Sequence, residues 1–149
     1  MLEAGDDPRF IARRMIIFAS EDIGVADSQA LVIAVSAAQA VDHVGLPEAQ
    51  LNLSQCAIYL ARAPKSNSSA QAIWNARADI RNGVDVEVPA HLRDAHYSGA
   101  QEIGNGAGYQ SPHNAHLQDE KVEQDYLPAQ TEGRAVPQIP YYRPSNNDR

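Results

Sequence analysis

The sequence lacks the features of secreted and membrane-spanning proteins. Cys56 is the single cysteine among 149 residues, so an internal disulfide is excluded. No apolar run reaches the length of a membrane span, and no charged segment followed by an apolar one marks a secretion signal. These absences indicate an intracellular, soluble, cytoplasmic protein that makes no membrane contact.

Positive charge is also scarce. The chain has 12 Lys and Arg residues against 19 Asp and Glu, which gives a formal net charge of −7. Because a nucleic-acid binder needs a basic face to contact phosphates, this balance argues against that role for the whole chain. Arg9, Arg13 and Arg14 form the one locally basic cluster. With 44% hydrophobic residues, the chain is long enough for one domain with a core and too short for two comfortable ones.

Recognisable catalytic and cofactor motifs are absent. Pro64-Lys65-Ser66 looks like the end of a phosphate-binding loop, but Tyr59 and Pro64 stand where its glycines would be. The glycines between 104 and 108 have the wrong spacing for a dinucleotide fingerprint. No serine lies in a strand-to-helix elbow, and Cys56 is expected to be a small buried thiol. We therefore expect no catalytic or cofactor-binding residue in this chain.

A metal site is the one enzymatic alternative. The side chains that could bind a metal ion are those of His113, His116, Asp119 and Glu120, with His91 and His96 farther away in the sequence. However, no helical His pair encloses a Glu, no Cys accompanies them, and this part of the chain has no evident rigid frame. A histidine that donates to backbone within a turn is the simpler interpretation, so no metal is expected.

Apolar periodicity and capping residues predict helices in the first half. Asp7-Pro8 starts the first helix, since Asp accepts from free N–H groups of the first turn and Pro suits the first helical position. Asp27-Ser28 opens a second helix that is apolar almost all round, ends at Gly45 and is predicted to be central.

Two further helices follow in the sequence. Asn52 and Gln55 fit a capping arrangement at the start of the third. Ser66 or Asn67 is predicted to cap the fourth, which ends at Asn82-Gly83. The first half is therefore predicted to be all-helical.

The pattern changes after Gly83. Residues 84–89 alternate like a short strand or an extended linker, and residues 91–94 fit one helical turn. Beyond them Gly and Pro break any long period, while tyrosines remain available for packing. The predicted fold is all-α, with a compact helical bundle over residues 1–83. An irregular Gly-, Pro- and Tyr-containing segment over 84–149 is predicted to wrap the core or a neighbouring subunit.

The charges of the first helix need partners from elsewhere. Glu21 and Asp22 follow at its C-terminal end, where acids oppose the helix dipole, and neither is three or four residues from Arg13 or Arg14. The cluster is a solvated face, a DNA phosphate contact or a salt-bridged packing surface. The last is favoured because interspersed apolar residues bury arginine stems and guanidinium groups suit carboxylates at interfaces. The predicted network comprises Arg9, Arg13, Arg14, Phe18, Glu21 and Asp22.

Several blocks of the sequence occur in an order typical of one protein family. They lie within residues 5–24, 58–67, 88–97, 104–113 and 122–128, and the first begins Gly5-Asp6-Asp7-Pro8-Arg9. Together they closely resemble the C-terminal region of replication-associated recombination protein A, the RarA/MgsA family of AAA+ ATPases, which includes the Werner-helicase-interacting protein.

The resemblance implies that the chain is the C-terminal piece of a longer protein, downstream of nucleotide-binding and lid domains that hold ATP and Mg. In this family the domain is similar to a clamp-loader collar and commonly forms a homotetramer. The parent acts at stalled replication forks and in recombination, with DNA-dependent ATP hydrolysis, and contacts DNA and replication proteins. The leading hypothesis is a non-catalytic oligomerisation domain. The alternative is a DNA- or partner-protein-binding helical module that uses Arg9, Arg13 and Arg14.

Overall fold

Four α-helices form the regular structure of the part of the chain that the structure describes. The computed structural model describes residues 1–84, 87–111, 113, 122, 124–127, 142 and 144–148. Every regular element in this part is helical, which confirms the predicted all-α class. The helices are α1 (Pro8–Phe18), α2 (Gln29–His43), α3 (Ala49–Arg62) and α4 (Ser68–Arg81), with short helical turns at Leu2–Ala4, Ala19–Ile23, Gly24–Ala26 and Ala90–Leu92.

The chain divides into two units. The first consists of Met1–Ala76 with Tyr141–Arg149, and the second of Arg77–Pro140. The division falls within α4, so the first unit holds α1, α2, α3 and the start of α4. The predicted boundary at residue 83 stays a prediction.

The starts of α1 and α2 follow their capping residues. The Asp7 carboxylate accepts from the Arg9 N–H at 2.8 Å and Pro8 takes the first helical position, as predicted. At α2, Asp27 accepts from the Gln29 N–H at 3.1 Å and from the Tyr59 hydroxyl at 2.8 Å. The side chain of Asp27 therefore caps α2 and also ties its start to α3.

The predicted cap of α3 is wrong. This helix begins at Ala49, so Asn52 lies inside it and does not precede it. The turn at Pro47 leads directly into the helix, since the Gln50 N–H donates to the Pro47 carbonyl at 3.2 Å. The apolar stripe begins one turn earlier than the prediction allowed, because Ala49 and Leu53 are buried at the same helical spacing as the later core residues.

The core of the first unit lies where α2 packs between α1 and α3. The buried residues of α2 are small along most of its length, which lets the neighbouring helices approach closely. Cys56 is buried as predicted, and desolvation raises the pKa of its thiol. The two core clusters are Ala19, Ile23, Ala30, Ala34, Ala37, Cys56 and Leu60, and Ile11, Ala12, Val41, Ala49 and Leu53.

A glycine fixes the connection from α1 to α2. Gly24 has φ 53° and ψ −130°, a conformation that L side chains rarely adopt. A Cβ at this position would lie 2.9 Å from Ser69 Oγ and 3.0 Å from the Ser66 carbonyl oxygen. Next to it, the Asp22 carbonyl accepts from the Ser66 N–H at 2.8 Å. The end of the first helical segment therefore packs directly on the turn between α3 and α4.

The described end of the chain returns to that same turn. The Asp148 carboxylate accepts from the Ser68 hydroxyl at 2.6 Å and from the Ser145 N–H at 2.8 Å. Asn147 donates to the Lys65 carbonyl at 2.6 Å, and the Ser145 hydroxyl donates to Ser66 Oγ at 3.0 Å. Part of the predicted wrapping segment thus contacts the helical core.

These contacts change the acidity of Asp148. Desolvation opposes its ionisation, but hydrogen bonds from the Ser66 and Ser68 hydroxyls and from Ser145 outweigh that effect and hold the pKa of the carboxyl well below its ordinary value.

The ends of α4 agree with the prediction, because the Ser68 N–H donates to Ser66 Oγ at 3.3 Å and the helix is followed by Gly83 at φ 75°.

We expect Gly24→Ala to destabilise the first unit by about 2 kcal/mol, since it adds both backbone strain and a steric clash. Gly5→Ala is the matched control, because Gly5 also has a positive φ but a Cβ there would meet no atom within 4 Å. Its cost should be about 1 kcal/mol, from the backbone alone. Urea unfolding followed by circular dichroism measures both, and equal losses would contradict the crowding at Gly24.

We expect Asp148→Asn to lower the urea midpoint at pH 6 to 7, and the difference from the wild type to shrink as the pH falls below about 4. The sign follows from the depressed pKa, because the stabilisation is fully present above the unfolded pKa and is lost as the pH falls through the folded one. Asp6→Asn, at an exposed carboxylate with no side-chain hydrogen bond in the described part of the chain, is the control at neutral pH. A difference that does not vary with pH would refute the role of this carboxylate.

Candidate interaction surface on α1 and α2

One side of α1 is buried and the other is exposed and mixed in character. Ile11 and Ala12 face the core, whereas Phe10 is 45% exposed and Ile17 is 37% exposed. The spacing of 3.6 residues per turn places the exposed residues on a single stripe. We call this the α1 stripe, and its members are Phe10, Arg13, Arg14, Ile17 and Glu21.

A π-helical turn extends the stripe beyond the end of α1. The turn covers Ala19–Ile23 and buries Ala19 and Ile23 against the core. Because a π turn holds more residues than an α turn, each residue advances less around the axis, and Glu21 stays on the side of Ile17. The acidic end of the stripe therefore follows the basic part along one face.

Among the described residues, only one arginine of the predicted network has a partner. Arg9 Nε donates to Asp42 Oδ1 at 2.9 Å, which joins the start of α1 to the end of α2. Both side chains are mostly exposed, so this pair contributes little to stability. Asp42 lies 33 residues from Arg9, and no local pattern in the sequence identifies it.

The remaining charges of the predicted network have no partner among the described residues. The side chains of Arg13, Arg14, Glu21 and Asp22 make no hydrogen bond or ion pair there, and all four residues are exposed. Within one chain, neither Arg13 nor Arg14 forms an ion pair with Glu21 or Asp22. Their predicted role in an interface stays a prediction.

Phe18 lies apart from the α1 stripe. It packs against the core, and the Lys65 ammonium sits 5.4 Å from the centre of its ring. Lys65 Nζ also donates to the Leu60 carbonyl at 2.8 Å, so it places a cation at the C-terminal end of α3, where the helix dipole favours one. These contacts agree with Lys65 being part of a helix-to-helix turn.

A groove of about 520 Å³ runs between α1 and α2. The two helices are antiparallel, since Arg9 near the start of α1 contacts Asp42 near the end of α2. Apolar side chains line the groove between charged ones. The lining residues are Arg9, Ala12, Arg13, Ile16, Ala38 and Asp42.

The outer side of α2 adds apolar area next to α1. Leu31, Val32 and Val35 are 40%, 56% and 38% exposed. The prediction that α2 is central holds for its place between α1 and α3, but no described residue covers this outer side. Contiguous exposed apolar residues beside arginines are typical of protein–protein contacts.

The predicted metal alternative is tested only in part. Within the described ranges, no group of three or more His, Cys, Asp or Glu side chains is placed to hold a metal ion. His116, Asp119 and Glu120 lie outside those ranges. His91 Nε2 lies 2.8 Å from the Asp125 carbonyl oxygen, which is the backbone contact expected of a turn histidine.

A second concave site lies within the second unit and was not predicted. Its volume is about 600 Å³, and Tyr109 and Tyr126 are among its lining residues. His96 Nδ1 lies 2.6 Å from Asp94, and the hydrogen bond from His96 lowers the pKa of that carboxyl.

No helix in the part of the chain that the structure describes is long and apolar enough to cross a membrane.

Comparison with known proteins assigns the family. Residues 1–149 match the family described as MgsA AAA+ ATPase C terminal. The chain is 51% identical over 145 residues to an AAA domain-containing protein of Mycobacterium tuberculosis, covering 97% of the chain and 30% of that protein. It is 44% identical over 149 residues to replication-associated recombination protein A of Bacillus subtilis, covering all of the chain and 34% of the relative.

A eukaryotic relative extends the comparison. The chain is 42% identical over 149 residues to ATPase WRNIP1 of Dictyostelium discoideum, covering 100% of the chain and 17% of that protein. The chain therefore spans between 17% and 34% of the length of these relatives. With a match over its full length, the chain belongs to the MgsA AAA+ ATPase C-terminal family.

Proposed function

We propose that this chain is the oligomerisation domain of a longer AAA+ ATPase that acts in replication-fork maintenance, recombination and repair. Membership of the MgsA C-terminal family supports an AAA+ ATPase as the longer protein. Two relatives carry names that refer to recombination or to an ATPase. The chain covers 34% and 17% of those two relatives, which leaves ample length for an ATPase region. The domain itself carries out no catalysis.

The observation that carries this proposal is the exposed apolar area on α1 and α2. Phe10 and Ile17 on α1, with Leu31 and Val35 on α2, are exposed on the two helices whose other sides form the core. A stable oligomer would bury such residues together with the arginines among them. An obligate contact would bury on the order of 2,000 Å² in total.

Assembly would act by positioning the ATPase modules of several subunits relative to one another. Holding several ATPase modules together raises their effective concentration and sets residues of one subunit beside the nucleotide of the next. ATP and Mg would bind in the ATPase region of the parent and not in this chain. A homotetramer in the cytoplasm, at replication forks, is the expected assembly.

The second candidate is a DNA- or partner-protein-binding module. It is favoured by Arg13 and Arg14, which are exposed and have no partner within the described chain. Two observations count against DNA, namely the net charge of −7 and the pairing of Arg9 with Asp42. Assembly is therefore the better supported function.

We expect the 149-residue chain to sediment as an oligomer, and Val35→Lys to weaken its association at least about tenfold, equivalent to about 1.4 kcal/mol. A charge on the outer side of α2 would have to be buried in the contact. Leu51→Lys is the matched control, because Leu51 is an exposed leucine on α3, outside the proposed contact. Circular dichroism checks that both variants fold. A wild-type chain that stays monomeric at high concentration would overturn the proposal.

We expect the chain not to bind a forked or single-stranded oligonucleotide measurably, even at low salt. Fluorescence anisotropy at increasing salt concentration is the test, since phosphate contacts give a strong salt dependence. If binding occurs, is salt-dependent and disappears in an Arg13→Glu/Arg14→Glu variant, the second candidate function replaces the first at this surface.

A further inference from the structure

We propose that the α1 stripe of one copy packs antiparallel against the α1 stripe of a second copy, about a two-fold axis at Ile17. This inference rests on the proposed function, because it names a contact through which copies assemble. Its occupant is a second copy of this chain.

The order of charges along the stripe carries the proposal. Arg13 lies four residues before Ile17 and Glu21 lies four residues after it. In an antiparallel pair centred on Ile17, Arg13 of each copy lies opposite Glu21 of the other, and Arg14 and Asp22 lie beside them. The two ends of the stripe are therefore complementary to each other across a two-fold axis, as an isologous contact requires.

A parallel pair would not satisfy the same charges. It would place Arg13 against Arg13 and Glu21 against Glu21, and like charges that face each other are destabilising. An antiparallel pair removes this repulsion. It also brings arginines of the second copy to the acidic end of α1, where Glu21 and Asp22 otherwise oppose the helix dipole.

Apolar side chains lie at the centre and toward the ends of the proposed contact. Ile17 would meet Ile17 of the second copy on the axis, and it is partly exposed in the single chain. The same register places Phe10, seven residues before Ile17, opposite Gly24 of the second copy and next to Val25, and Phe10 and Val25 are both exposed. The contact thus has an apolar centre between two sets of opposite charges, which fits an interface with a polar rim.

One helix pair is too small to form the whole assembly. α1 and the π turn together cover 16 residues, Pro8–Ile23, or about 24 Å of helix. An isologous α1 contact joins copies in pairs, and the outer side of α2 is left to join pair to pair. Two such contacts on each copy would generate a closed tetramer.

A charge-swap series tests the proposal in the full chain. Arg13→Glu/Arg14→Glu and Glu21→Arg/Asp22→Arg should each weaken association at least about tenfold, because each makes the facing charges alike. The combination of all four substitutions should restore association to within about threefold of the wild type. Arg77→Glu/Arg81→Glu is the control, since it reverses two exposed arginines of α4 and should leave association unchanged.

Sedimentation measures association, and circular dichroism confirms that each variant folds. Assembly that is unaffected by both reversals, or a fourfold swap that does not restore it, would overturn the α1 contact and leave the proposed function standing. A monomeric wild-type chain would overturn the proposed function and this contact with it.

Crosslinking at the axis gives an independent test. A residue on a two-fold axis meets its own copy, so Ile17→Cys in a Cys56→Ala background should form a disulfide-linked dimer under mild oxidation. Cys56 is the one native cysteine, so that background has no other thiol. Leu51→Cys is the matched control and should remain uncrosslinked. A crosslinked fraction no greater for Ile17→Cys than for Leu51→Cys would reject the axis.

Discussion

The packing of α2 between α1 and α3 is the constraint on which the rest of the first unit depends. Ala30, Ala34 and Ala37 form a stripe of small buried side chains, so the flanking helices approach α2 closely. Ile23 and Leu60 fill the space at one end, and the second core cluster fills the other. Because interiors are close-packed, this arrangement fixes the rotation of α1 and therefore which of its side chains face outward.

The charge arrangement of α1 follows from that rotation. Because its apolar side packs on α2, the helix exposes Arg13, Arg14 and Glu21, and none of these side chains forms an ion pair with a described residue. Charges in such positions are common on a solvated surface, but here exposed Phe10 and Ile17 lie among them. A surface that mixes arginines with aromatic and aliphatic side chains is better suited to a protein partner than to water.

The sequence predicted those features that depend on neighbouring residues. The Asp7 cap, the end of α4 before Gly83 and the burial of Cys56 follow from local rules, and each agrees with the structure. The predicted start of α3 was wrong. The capping pattern at Asn52 indicated a start at that residue, but the helix already has a first turn with buried residues before it. Long-range contacts could not be predicted. Asp42 meets Arg9 only because α1 and α2 pack antiparallel, and that register belongs to the tertiary fold.

The proposed function requires that the chain assembles by itself, without any other region of a longer protein. Native mass spectrometry of the wild-type chain, sprayed from a low-salt solution over a range of concentrations, tests this most directly. We expect species at integer multiples of 16.2 kDa, with the tetramer dominant at high concentration. A single species of 16.2 kDa at every concentration would contradict it.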